Sequence, residues 1–194
     1  MATPTSTTPI NPSNPEMRSH LLSHYSTLLS TFSTSPSKFK ILTSLPHISP
    51  TSTTPPPPPP KTLYVLDSSF NPPTLAHLHI ARTALLQDNL PPSPTTRKHI
   101  LLLLATTNAD KKDPTPASFP QRLCMLRLLA EELISEFPSK PSEQAAGSAR
   151  LTVDIGVTKQ PYFIDKSISI LEEGASYNQD TEQVHLLGYD TLVP

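Results

Sequence analysis

Glycine is scarce in this chain, 4 in 194 residues, tryptophan is absent, and Cys124 is the single cysteine. One cysteine excludes an internal disulfide and any CxxC zinc or redox motif. The glycines form neither a GxGxxG fingerprint nor a Walker A loop, so the usual glycine-rich phosphate cradles are missing. Charge is also low and balanced, with 15 Lys and Arg against 16 Asp and Glu and a net charge of -1. Such a chain has no electrostatic footprint for duplex nucleic acid or an anionic membrane. The longest apolar run, Ile100 to Ala105, falls well short of the ~18 residues of a membrane helix. The first twenty residues lack the charged start and apolar stretch of a secretory signal. The expectation is a soluble intracellular protein, cytoplasmic and with the nucleus open to it, that uses neither nucleic acid nor membrane as a partner.

What the chain has in excess is proline, 25 residues, against a usual share of about 5%. Residues 1–13 are rich in Ser, Thr and Pro and read as a disordered N-terminus. Asn14 then offers an N-cap, Pro15 suits the first helical position and Glu16 the positive helix end. Met17, Leu21, Tyr25, Leu28, Leu29 and Phe32 recur at steps of three and four, which places a docked helix in a helical extension over 14–45. Residues 46–60 form a proline-rich linker ending in six prolines, Pro55 to Pro60, a stiff polyproline II spacer.

From Lys61 onward strands and helices alternate. Leu63 to Leu66 is a β-rich run, and Leu75, Leu78, Ala81 and Leu85 mark a helix over 75–87. His99 to Ala105 is the uninterrupted apolar run of a strand covered on both faces. Ser118-Phe119-Pro120-Gln121 is a capping box opening a leucine-striped helix that carries Cys124 and stops at Pro138. A strand over 151–155, a short helix ending at Gly174 and a fourth strand at 184–187 complete the series. This order predicts an α/β fold, a Rossmann-like doubly wound parallel sheet over 61–194 behind the N-terminal helical extension.

In such sheets ligands sit beyond the carboxyl ends of the strands, so the exit of the first strand matters most. It reads Asp67-Ser68-Ser69-Phe70-Asn71-Pro72-Pro73-Thr74-Leu75-Ala76-His77. With Thr74 as N-cap, His77 falls in the first helical turn beside free backbone N–H groups, a compact anion site. His20 and His24 are four apart but lack a third ligand, and His77 and His79 point to different sides of a helix, so no metal site is expected.

The stretch Ser69-Phe70-Asn71-Pro72-Pro73-Thr74-x-x-His77 resembles the HxGH motif of nucleotidyltransferases in its SFNPxTxxH form. More narrowly, the chain resembles the nicotinamide mononucleotide adenylyltransferases, in a fungal-type branch with an N-terminal extension. Thr107 to Lys112, Gln121-Arg122-x-x-Met125 and Leu186 to Asp190 are similar to further motifs of that family, in the same order. The resemblance implies the nucleotidyltransferase fold. It also implies a reaction in which the phosphate of nicotinamide mononucleotide attacks the α-phosphorus of ATP, giving NAD and pyrophosphate. ATP is then a substrate, with Mg²⁺ on its phosphates, and a homo-oligomer is compatible with the family. His77 is the implied catalytic residue. Ser69, Phe70, His77, Gly188 and Asp190 are implied for ATP, and Asn71, Lys112, Tyr162 and Phe163 for the mononucleotide.

The chain departs from that pattern in three ways. Ser68 stands where the family has glycine, and no tryptophan is available to stack on the nicotinamide, which leaves Tyr162 or Phe163 for that place. The family's final Ser-x-x-x-x-Arg segment has no counterpart before Pro194. The expectation is therefore a domain lacking its C-terminal part, with low stability and weak or absent activity on its own. Two alternatives stay open: a nucleotide-binding regulatory protein of the same fold without transfer activity, and an adenylyltransferase for another phosphorylated substrate.

Overall fold

The computed structural model describes residues 14–46, 58–87, 98–107, 117–137 and 151–188. In chain order these form α1 (Pro15–Thr34), β1 (Phe39–Leu45), β2 (Thr62–Asp67), α2 (Leu75–Gln87), β3 (Lys98–Ala105), α3 (Phe119–Glu136), β4 (Leu151–Thr158), α4 (Phe163–Glu173) and β5 (Glu182–Leu186). The strands make one sheet in the order β1-β4-β3-β2-β5. β2, β3, β4 and β5 run parallel, and β1 is antiparallel to β4 at the edge. From β2 the chain steps outward through β3 to β4, then β5 returns to the other flank of β2. Strand order thus reverses at β2, which in open α/β sheets opens a crevice at the strand's carboxyl end. The fold is α/β and mostly parallel, a Rossmann-like arrangement.

Local sequence accounts for most of these elements. The Asn14 side chain accepts from the N–H groups of Glu16 at 3.0 Å and Met17 at 3.4 Å, with Pro15 at the first helical position. Tyr25 and Phe32 bury the inner face of α1, which packs on α3. Ile100 to Leu104 are fully buried on both sides of the sheet, hence the unbroken apolar run in β3. α1, α2 and α3 cover one face through Leu66, Ile100, Leu102 and Ile155, while α4 covers the other through Leu63, Val65, Leu101 and Ile170. At Gly156 a Cβ would meet side-chain atoms of Leu101 and Phe39 at 2.9 Å, so these two side chains fill the space over its bare backbone.

The extension is not only helical: Phe39 to Leu45, inside the stretch read as a helical extension, is a strand of the same sheet. Its register slips between Ile41 and Thr43. Phe39 and Ile41 therefore join the core under α4, whereas Leu42 and Leu45 join the core on the opposite face. Such a bulge moves the apolar set from one face to the other, so the run shows no steady alternation. The expected disordered segment 1–13 lies outside the described residues, as do 47–57 of the linker. The linker's last residue is docked, because the Pro60 carbonyl accepts from the Thr181 hydroxyl at 2.9 Å. No helix among the described residues is long and apolar enough to cross a membrane.

One polar pair lies within the α4-side core. Tyr177 Oη donates to Asp154 Oδ2 at 2.6 Å, and Asp154 is 2% exposed. Burial pushes the Asp154 carboxyl above the usual carboxylate range, against hydrogen bonds from Ser44 and Tyr177 that lower it. The folded chain therefore keeps this proton at pH values where the unfolded chain has released it. Stability then falls as pH rises from the ordinary carboxylate value through the raised folded one. Asp154→Asn removes that dependence and still accepts from Tyr177. In urea unfolding followed from pH 4 to pH 7, the variant is expected to gain on the parent as pH rises; a constant difference would contradict the assignment.

Candidate functional site

The turn leaving β2 is held from three sides. Ser68 N–H donates to Leu103 O at 3.3 Å, carrying the sheet ladder one residue past the strand. Phe70 has φ 44, in the left-handed region, yet its ring is fully buried. That conformation costs about 1–2 kcal/mol for a non-glycine residue, while burying the ring returns about 1.5–3 kcal/mol. The side chain thus pins a backbone that would otherwise call for glycine. Asn71 Oδ1 accepts the Ala117 N–H at 3.0 Å, tying the turn to the start of α3. Arg122, 6% exposed, braces the same junction. Its Nε donates to Ala117 O at 2.8 Å and its Nη1 to Ser69 O at 3.4 Å, with the guanidinium 5.1 Å from the Phe119 ring centroid.

His77 is the third residue of α2 and turns its ring back over this loop. Nδ1 accepts the Thr74 N–H at 2.9 Å, with Thr74 Oγ1 2.8 Å away. The proton of the neutral ring is thereby placed on Nε2, which lies 2.9 Å from Ser68 Oγ. The Phe70 ring supports the imidazole at 5.0 Å between centroids. First-turn N–H groups of a helix lack intrahelical acceptors, so the helix end presents donors beside the imidazole and the Ser68 hydroxyl it meets. The arrangement suits an anion.

Behind the turn, on the α4 side of the sheet, a second polar group forms. Lys166 Nζ and Asp67 Oδ2 are 2.5 Å apart, with side chains 8% and 9% exposed. The ammonium lies 5.4 Å from the Phe163 ring centroid, and His185 packs edge-on to that ring at 5.9 Å. Ser167 Oγ lies 2.8 Å from His185 Nε2. Burial lowers the His185 pKa; the Asp67 carboxylate opposes this and the Lys166 ammonium adds to it.

Of the residues implied by resemblance, Ser69, Phe70, Asn71 and His77 come together in the turn. Phe163 meets Lys166 and His185 on the opposite face from α2, and Tyr162 beside it is largely exposed. Gly188 is half-buried just past β5. Lys112 and Asp190 lie outside the described residues. Sequence reading passes over Ser68 as a partner of His77, and over Asp67 and Lys166; it names Arg122 only within the Gln121-Arg122-x-x-Met125 motif and gives it no role. Only Arg122 carries a local signal, a charge at a buried position of α3. Among the described residues no cluster of three or more His, Cys, Asp or Glu is placed to hold a metal ion.

No family model matches the chain, and no solved structure matches it. Over 133 residues, 69% of its length, the chain is 36% identical to a Schizosaccharomyces pombe protein named "Putative nicotinamide mononucleotide adenylyltransferase". The match spans 41% of that relative. The chain is therefore similar, across most of its own length and about two fifths of the relative's, to a protein carrying that adenylyltransferase name.

Proposed function

We propose that this chain carries the nucleotide-binding part of a nicotinamide mononucleotide adenylyltransferase of the fungal type, within the HxGH superfamily. It would transfer the adenylyl group of ATP to the mononucleotide, forming NAD and releasing pyrophosphate. The observation that carries this reading is the glycine-free turn from Ser68 to His77, in which the imidazole at the helix start is bonded to Thr74 and to the Ser68 hydroxyl. The similarity to the fission-yeast protein points the same way.

The chemistry asks for alignment and charge stabilisation, with no covalent intermediate. In this reading the His77 ring and the start of α2 contact the ATP phosphates, with the Ser69 and Phe70 backbone against the joined phosphates. The resemblance assigns Asn71 and Lys112 to the mononucleotide, and Gly188 and Asp190 to the adenosine. Tyr162, the residue before α4, and Phe163, its first residue, are assigned to the nicotinamide in this reading. Magnesium, held by the triphosphate oxygens, supplies the remaining positive charge. Its place on the substrate suits a turn that offers hydrogen-bond donors.

A coupled NAD-formation assay with ATP, Mg²⁺ and the mononucleotide tests this directly. NAD appearing slowly, with equimolar pyrophosphate, is the expected result. ATP binding without product would favour the regulatory nucleotide-binding alternative, and no ATP binding would overturn the site.

A further inference from the structure

We propose that the Ser68 hydroxyl is a phosphate-binding donor oriented by His77, accepting a hydrogen bond from the ring's Nε2–H and turning its own proton toward the bound phosphate. This rests on reading the turn as an anion site and goes further, because it gives a specific task to the residue that replaces the family's glycine.

The geometry fixes the direction of each hydrogen bond. The Thr74 backbone N–H can only donate, so Nδ1 of His77 is an acceptor. A neutral imidazole with Nδ1 as acceptor carries its hydrogen on Nε2. That hydrogen meets Ser68 Oγ at 2.9 Å, so Ser68 accepts. A serine hydroxyl that accepts keeps one O–H to donate, and among the described residues no acceptor takes it. The chain of bonds runs from Thr74 N–H through the imidazole to Ser68, with every donor aligned one way. Hydrogen bonds in such a series strengthen one another, and their strength grows when the last acceptor is charged.

The platform is also fixed. The Ser68 N–H continues the sheet ladder to Leu103 O, and the preceding Asp67 is held by Lys166. The hydroxyl is thus aimed by the sheet as well as by the loop, the kind of support a positioned donor needs. His77 in turn is bonded at both nitrogens, which suits a fixed donor and leaves Nδ1 unsuited to act as a base.

Three proteins decide it: the full chain and its Ser68→Ala and Ser68→Thr variants. Each is titrated with MgATP and with inorganic tripolyphosphate, and the His77 ring nitrogens are followed by ¹⁵N spectroscopy without ligand. Ser68→Ala is expected to weaken both ligands by about tenfold or more, the scale of losing a hydrogen bond to a charged group. It should also shift the Nε2 resonance and leave the unfolding midpoint close to the parent's. Ser68→Thr, which keeps a hydroxyl, should restore most of the binding. Should the parent bind both ligands and Ser68→Ala bind them as tightly, the role of Ser68 is overturned and the anion site stands. If the parent binds neither ligand, the anion site falls and this inference falls with it.

Discussion

His77→Ala should lower kcat/KM for NAD formation by about 10²-fold or more while leaving the chain folded. The magnitude is that of losing one oriented donor from a site where negative charge develops, and at room temperature it corresponds to about 2.7 kcal/mol. The structural cost is smaller, because the ring is half-buried and its bonds are local. Truncation frees the Thr74 N–H and the Ser68 hydroxyl, both near enough to solvent for water to replace the imidazole. A helix-start interaction of this kind is worth about 0.5–2 kcal/mol. His77→Asn separates the two effects, since its side-chain oxygen can take the Thr74 N–H as Nδ1 does. That variant should recover the unfolding midpoint without recovering turnover. If Asn restored both, His77 would be a capping residue and nothing more. The assay should be run with saturating Mg²⁺, so that a loss is read from the protein's donors alone.

Much of the frame is legible in the chain because the signals are local. Asn14 caps α1, Ser118 with Gln121 opens α3, and Gly174 closes α4, each through contacts within a few residues. The unbroken run in β3 shows its burial directly. β1 escapes because Lys40, Thr43 and Ser44 interrupt it and the bulge reverses its faces. Within the site, the link from Thr74 to His77 follows from helix geometry, whereas the brace from Arg122 to the Ser69 carbonyl spans 53 residues. No spacing rule anticipates that Asp67 meets Lys166, 99 residues on. Lys166 reads as an ordinary polar residue on an amphipathic helix until the sheet order sets α4 against the end of β2. Tyr162 and Phe163 show the same limit from the other side. As aromatics after a strand they resemble ring-stackers, but the face α4 occupies turns Phe163 to Lys166 and His185.

That buried pair carries the largest stability effect. Lys166→Met keeps the length of the side chain and removes its charge, leaving Asp67 as a carboxylate 9% exposed with no cation. Breaking a buried pair from one side costs about 3–5 kcal/mol, a large share of the ~5–15 kcal/mol that holds a domain of this size folded. The opposite single change should be milder. Asp67→Asn leaves the ammonium without its anion but still 5.4 Å from the Phe163 ring centroid, a contact worth about 0.5–2 kcal/mol. Removing both charges together, in Asp67→Asn with Lys166→Met, should bring stability back to within about 1 kcal/mol of the parent, because neither orphaned charge remains. His185 supplies an independent readout. Asp67 raises its pKa and Lys166 lowers it, so Lys166→Met should move the His185 titration upward and Asp67→Asn downward. Urea unfolding and ¹H NMR titration of the four proteins measure both predictions. Equal losses in the two single variants, with no opposed movement of His185, would mean the pair is solvated rather than buried. In that case the end of β2, and the Ser68 platform that follows it, would have to be held by something other than this ion pair.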